Sequence, residues 1–148
     1  MGNLKLTSSS FEDGGEIPRE YGYKNGNREP QLTIGGTPEG TKSLALIMDD
    51  PDAKAAVGEV WVHWVVWNIL NTDGPLGTKR ICKLGTTDFG KVGYGGPAPP
   101  DKRHTYVFKL YALDTDLDLP DKSTKADVEK AMEGHIIAEA KLTGTYAP

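Results

Sequence analysis

Three apolar segments of the chain are predicted to form buried strands. Lys42–Asp50 (KSLALIMDD) is a compact apolar run that is too short for a typical helix and is ended by Pro51. Val60–Ile69 (VWVHWVVWNI) is rich in Val and Trp and apolar on both faces, which indicates a central strand covered on both sides. His104–Asp114 (HTYVFKLYALD) places every second side chain on one face, so a third strand is predicted there.

The last part of the chain contains the one predicted helix and a final strand. Ser123–Glu133 has Ser123 or Thr124 as a candidate N-cap, apolar residues at helical spacing, and Gly134 as a stop. Polar side chains then alternate with small or apolar ones over Ala138–Thr145, which is the period of a strand with one solvent-exposed face.

The remaining segments are predicted to be loop-rich. Leu4–Tyr23 indicates a short strand followed by a polar loop, Tyr23–Gly40 is crowded with Asn, Gly and Pro, and Asn71–Ala98 is expected to be mostly loop. The 18 Gly and 10 Pro residues fit a chain with many turns. Several strands, long loops and a single late helix predict a mainly β fold, an antiparallel β-sandwich or barrel rather than a βαβ arrangement.

Length and charge narrow the possible classes of protein. A chain of 148 residues is expected to form a single domain spanning residues 1–148. Its 17 Lys and Arg against 21 Asp and Glu give a net charge of −4, which argues against bulk binding of nucleic acid or anionic membranes. The lone Cys82, the absence of an export signal and the lack of a membrane-spanning apolar stretch lead us to expect a cytoplasmic protein.

Three polar side chains interrupt the apolar strands. Asp50 ends the first strand, His63 lies inside the second, and His104 opens the third. Burial of an unpaired imidazole or carboxylate costs several kcal/mol, so these groups must pair with one another, meet a ligand or reach the surface. Convergence on one site is one interpretation. A hydrogen-bonded core histidine at His63 and a solvent-facing His104 are the alternatives.

Two other patterns are less specific. The loop Gly93–Pro100 (GYGGPAPP) can form a rigid pocket wall or a plain tight turn, and it lacks the spacing of a phosphate-binding loop. Strict alternation along the second strand would place Trp61 and Trp67 on the face of His63 and Trp64 on the other face, with core packing as their expected role. No metal or cofactor motif is found, so none is predicted.

Four segments together resemble a known family. The segments DDPDA (Asp49–Ala53), VWVHWVVWNI around His63, and GYGGPAPPDKRHTYVFKLYALD (Gly93–Asp114) are similar to the signature regions of the phosphatidylethanolamine-binding protein (PEBP) family. Together with KADVEKAMEGHIIAEAKLTGTY (Lys125–Tyr146), they match its short bacterial and archaeal Raf-kinase-inhibitor-like branch. This resemblance implies an antiparallel β-sandwich with a small ligand pocket near one end.

The resemblance also implies a set of pocket residues. They are the pocket aspartate Asp50, the histidines His63 and His104, and the neighbouring Tyr106. Gly96, Pro97 and Pro99 would form the backbone wall, Trp61 the aromatic side, and Asp52 would shape the acidic loop. Such a pocket would bind small anions such as phosphate, phosphonate, acetate, cacodylate or a phosphoethanolamine head group. The chain departs from the family pattern at Thr105, where an arginine is usual, and at Ala98, where many prokaryotic members have cysteine.

The expected function is therefore that of a non-enzymatic binding protein for a small anionic ligand, which could regulate a partner protein. One alternative is an inhibitor of a serine protease or a kinase that acts through its surface. A small hydrolase or metal enzyme, with a histidine as general base, is a further alternative. A C2 homodimer is expected from the resemblance.

Overall fold

Two β-sheets face each other across a shared apolar core in the computed structural model, which describes residues 3–76 and 82–148. The described part of the chain contains nine strands, β1 Lys5–Thr7, β2 Gly15–Glu16, β3 Leu32–Gly35, β4 Ser43–Asp50, β5 Trp61–Ile69, β6 Gly74–Leu76, β7 Lys83–Leu84, β8 His104–Leu113 and β9 Ile136–Tyr146. Its helices are α1 Ala53–Val57 and α2 Lys125–Met132, with a 3₁₀ turn at Arg19–Tyr21.

The strand order confirms the predicted mainly β, two-sheet fold. The smaller sheet has the order β1-β3-β6, and the larger sheet has the order β2-β9-β8-β4-β5-β7. Neighbouring strands are antiparallel except β2 and β9, which form a short parallel pair. The three strongest sequence predictions, β4, β5 and β8, are neighbours at the centre of the larger sheet, which brings their ends together.

Both faces of the larger sheet are covered. One face packs against the smaller sheet through a cluster that includes Leu46, Phe108 and Ile34. The opposite face packs against Val128 and Met132 of α2. Because β4 and β5 are covered on both sides, their central residues are mostly apolar and do not alternate between apolar and polar residues.

The predicted helix and last strand are present with small changes at their ends. Thr124 is the N-cap of α2 and forms a capping box with Asp127, as two reciprocal hydrogen bonds of 3.3 and 2.9 Å. Lys125 and Lys109 both donate to the buried Asp49 Oδ2, at 2.8 and 3.2 Å, which holds α2 against the sheet. β9 is longer than predicted because it pairs with β8 along almost its whole length.

Two features add to the sequence prediction. The five-residue helix α1 follows β4 after Pro51 and Asp52, in a segment for which no helix was predicted. The short strands β3, β6 and β7 lie in the loop-rich segments, where only short regular structure was expected, and residues 77–81 of that region lie outside the described residues. In the described ranges, no helix is long and apolar enough to cross a membrane.

A β-bulge in β5 overturns the predicted alternation of side chains around His63. Met48 pairs with Trp64 and Asp49 pairs with Val62, so His63 is the extra residue of the bulge. The side chain of His63 consequently contacts Tyr106 on the inter-sheet side, with ring centroids 5.1 Å apart. Trp67 belongs to the opposite cluster, under α2, so His63 and Trp67 do not share a face as strict alternation would require.

Candidate ligand-binding site

A cavity of about 150 Å³ lies where β4 ends, β8 begins and β5 carries its bulge. Side chains of these strands form part of its wall, and α1 and two loop segments complete it. The residues that line it are Asp50, Ala53, Ala56, Val57, Trp61, His63, Phe89, Ala98, Pro100 and His104. The cavity therefore collects the three polar side chains that interrupt the apolar strands.

His104 is held between two carboxylates. Its Nδ1 lies 2.6 Å from Asp50 Oδ2, and its Nε2 lies 2.7 Å from Asp101 Oδ1. A carboxylate accepts hydrogen bonds, so both ring nitrogens act as donors and His104 is an imidazolium in this arrangement. Burial alone would lower the pKa of His104, but its hydrogen bonds to Asp50 and Asp101 outweigh burial and raise the pKa.

Asp50 is positioned by the chain turn that follows β4. It is only 3% exposed, and its Oδ1 accepts the backbone N–H of Ala53 at 3.2 Å, at the start of α1. Because Oδ2 is already bonded to His104, both carboxylate oxygens are engaged. Asp50 therefore acts on the site mainly by fixing the charge of His104.

Asp52 stands outside the cavity and connects its two sides. Its exposed carboxylate accepts the backbone N–H of Thr105 at 2.8 Å, which ties the turn before α1 to the start of β8. This placement agrees with a residue that shapes the acidic loop.

His63 differs from His104 in its protonation state. Its Nδ1 lies 2.7 Å from the carbonyl oxygen of Gly95, which can only accept, so Nδ1 carries a proton. Burial lowers the pKa of His63, although the Gly95 carbonyl and the charge of Asp50 oppose this shift. Near neutral pH the ring is therefore neutral, and its Nε2 is a hydrogen-bond acceptor.

Tyr106 lies between the two histidines. Its ring centroid is 5.1 Å from that of His63 and 6.4 Å from that of His104. Its hydroxyl is fully buried, and Tyr106 is not among the residues that line the cavity. Burial and the nearby charge of Asp50 raise the pKa of Tyr106, so the hydroxyl stays protonated and remains a donor.

One side of the cavity is aromatic. Trp61 meets Phe89 edge-on, with centroids 5.7 Å apart, and Phe89 also meets His63 edge-on at 5.3 Å. Phe89 is held in place by a parallel stack on Tyr23, with centroids 4.1 Å apart. These rings limit the flexibility of His63 and exclude water from one side of the cavity.

The Gly–Pro loop forms the back of the site. Gly95 supplies the carbonyl that fixes the tautomer of His63, while Gly96 donates its N–H to Asn27 Oδ1 at 2.7 Å. Within this loop, Ala98 and Pro100 line the cavity, whereas the structure places Gly96, Pro97 and Pro99 behind this lining. Pro97 and Pro99 instead line a neighbouring groove. A direct ligand contact for Gly96, Pro97 and Pro99 stays a prediction.

Two parts of the site, Asp101 and Phe89, were not found from the sequence. Asp101 precedes His104 by three residues, but nothing in the letters DKRH shows that its carboxylate folds back onto the imidazole. Phe89 lies in a segment that was predicted to be loop. Its aromatic side chain was the one feature there that could have indicated a role in the site. Arg103 points away from the cavity and bonds Glu16 at 2.9 Å.

The site can bind a group that brings both donors and acceptors. The His104 imidazolium supplies positive charge, and His63 Nε2 supplies an acceptor. Within residues 3–76 and 82–148, no group of three or more His, Cys, Asp or Glu side chains is arranged to hold a metal ion.

Comparison with known proteins agrees with the fold. The family model described as phosphatidylethanolamine-binding protein matches residues 7–147. A UPF0098 protein from Methanothermobacter thermautotrophicus is 44% identical over 153 residues, covering 97% of this chain and 98% of the relative.

Solved structures show the same similarity. CT736, a phosphatidylethanolamine-binding protein homologue from Chlamydia trachomatis, has a TM-score of 0.92 and 37% identity, covering 99% of this chain and 98% of the homologue. YbcL from E. coli, a member of the mammalian PEBP family, has a TM-score of 0.88 and 34% identity, with 98% of each chain covered. Because the family model and these relatives match nearly the whole chain, it belongs to the phosphatidylethanolamine-binding protein family.

Proposed function

We propose that the chain is a binding protein whose cavity holds one small anion, with a phosphate group as the preferred chemistry. The observation that carries this proposal is the convergence of buried Asp50, His63 and His104, from three strands, on one cavity. A hydrogen bond between these side chains and a charged ligand would contribute about 1.5–3 kcal/mol.

The size of the cavity favours a ligand of few atoms. A volume of about 150 Å³ is below the range of roughly 300–1,000 Å³ typical of pockets for drug-sized molecules. It has room for a phosphate or a head group such as phosphoethanolamine, but not for acyl chains. A whole lipid would therefore have to keep its chains outside the cavity.

The protonation of His63 selects among small anions. Its Nε2 accepts a hydrogen bond, so the best ligand carries a proton as well as negative charge. Phosphate retains a P–OH at neutral pH, and phosphoethanolamine carries an ammonium group. Sulfate and acetate offer no proton at this pH, so we expect both to bind more weakly than phosphate.

Replacement of His63 with alanine tests this proposal. We expect His63→Ala to weaken binding of inorganic phosphate by about 10- to 100-fold, because a hydrogen bond to a charged group contributes about 1.5–3 kcal/mol. Isothermal titration calorimetry with phosphate, phosphoethanolamine, sulfate and acetate at equal ionic strength would measure the affinities and separate free phosphate from the head group.

Two further variants control this experiment. His135→Ala removes an exposed histidine that pairs with Asp114 at 2.8 Å, and it should leave phosphate affinity unchanged. His63→Asn keeps an amide donor for the Gly95 carbonyl but lacks the Nε2 acceptor, so it protects the fold while removing the proposed ligand contact. Equal affinity for phosphate and sulfate, unaltered in His63→Asn, would contradict the proposal.

A further inference from the structure

The imidazole of His104 has a carboxylate at the position where a bound anion would be expected. Its Nε2 is the ring nitrogen that does not contact Asp50, and it lies 2.7 Å from Asp101 Oδ1. Both donors of this imidazolium are therefore already used within the chain.

The two carboxylates on His104 differ in their surroundings. Asp50 is buried and also bonded to the backbone of Ala53, so it is fixed in place. The side chain of Asp101 is 43% exposed and follows Pro100, a residue of the cavity wall. Asp101 can exchange its contact with His104 for contact with water at little cost, whereas Asp50 cannot.

The charges around the cavity oppose an anion while Asp101 is in place. Two carboxylates face one imidazolium, and His63 is neutral with an acceptor on its free nitrogen. An incoming phosphate would meet net negative charge and would find both N–H donors of His104 already bonded to carboxylates. Displacement of Asp101 removes one negative charge and frees a charged N–H donor at the same time.

From this geometry we infer that Asp101 is an internal competitor for the anion site, a specificity-determining residue whose carboxylate a ligand must displace from His104 Nε2. This inference rests on the proposed function, because it assigns Asp101 a role in anion binding at the same cavity. It also sets the selectivity of the site, since a strongly charged phosphate can displace a carboxylate that a weaker acceptor cannot.

The test compares phosphate affinity in the wild type, Asp101→Ala and Asp101→Asn. We expect Asp101→Ala to bind inorganic phosphate at least about 10-fold more tightly, because the ligand no longer has to break a charge-assisted hydrogen bond. Asp101→Asn should lie between the other two, since its amide oxygen still accepts from Nε2 without carrying charge.

Asp114→Ala is the matched control for net charge. Asp114 is an exposed aspartate that also pairs with a histidine, with its side chain 48% exposed, but this pair involves His135 and not the cavity. We expect Asp114→Ala to bind phosphate within about twofold of the wild type, since exposed charges at a distance are screened by salt. Circular dichroism of each variant would verify that the fold is retained.

The outcomes separate this inference from the proposed function. Tighter binding in Asp101→Ala, or binding seen only in that variant, supports Asp101 as a competitor. Equal or weaker binding in Asp101→Ala than in the wild type overturns the inference and leaves the anion site standing. No phosphate binding in any of these proteins overturns both. A comparison of inorganic phosphate with phosphoethanolamine in Asp101→Ala would show which source of the phosphate group the open site prefers.

Discussion

His104→Ala is expected to lower the free energy of unfolding by roughly 3–5 kcal/mol, the range for removing one partner of a buried ion pair. The physical reason is that Asp50, only 3% exposed, loses its imidazolium partner at 2.6 Å and keeps only the N–H of Ala53. Chemical denaturation of the wild type and the variant under identical conditions would measure the difference.

The control variant His135→Ala distinguishes loss of the buried ion pair from the loss of a histidine in general. His135→Ala removes an imidazole whose pair with Asp114 is about half exposed, and its cost should stay below about 1 kcal/mol. The double replacement Asp50→Asn with His104→Gln should cost less than the two single changes added together, because neither charge is then left alone. A loss in His104→Ala no larger than in His135→Ala would show that the buried pair does not stabilise the fold.

The pH dependence of this pair has a defined sign. The pKa of His104 is raised in the folded state, so its contribution to stability is complete below the unfolded value of about 6.5 and is lost as pH rises through the folded pKa. The stability gap between the wild type and the neutral double variant should accordingly narrow above pH 6.5. A gap that widens over that interval would contradict the assignment of His104 as an imidazolium.

Gly96→Ala is expected to have the second large effect. A Cβ at this position would lie 2.0 Å from the carbonyl oxygen of Tyr21 and 2.9 Å from the backbone nitrogen of Tyr23. Backbone atoms cannot rotate away as a side chain can, so the Gly–Pro loop must shift, at a cost of about 1–3 kcal/mol or more. The shift would also disturb the Gly95 carbonyl that fixes the tautomer of His63, and phosphate affinity should fall with stability.

Gly35→Ala provides a control for Gly96→Ala. Gly35 is the last residue of β3, and a Cβ there would meet no atom within 4 Å. This change should leave stability and phosphate affinity close to those of the wild type. If thermal melts show Gly96→Ala to be as stable as Gly35→Ala, the close approach of the loop to Tyr21 does not constrain the site.

The centre of the larger sheet could be predicted from the sequence because β4, β5 and β8 are rich in apolar residues. β4 and β5 are covered on both faces, so their boundaries appear in the sequence as continuous apolar runs ended by Pro51 or by polar residues. The short strands β3, β6 and β7 could not be predicted in the same way. They contain two to four residues each, and their pairing depends on partners distant in the chain.

The candidate site, like the fold, could be predicted from the sequence only in part. Convergence of Asp50, His63 and His104 follows from the adjacency of their strands, which the resemblance to the family implied. The bulge at His63 could not be predicted, because a bulge depends on the register of β5 against β4 and leaves no residue pattern in this segment. The contact between Asp101 and His104 depends on the path of one short turn, which the sequence does not specify. The expected homodimer and a protease or kinase partner stay predictions.

A crystal structure of the protein in a saturating phosphate solution tests the central claim most directly. We predict electron density for one phosphate in the cavity, with an oxygen about 2.7–3.2 Å from His104 Nε2 and with His63 Nε2 within reach of a P–OH. A cavity that holds only water at saturating phosphate, or phosphate bound solely elsewhere on the surface, would contradict it.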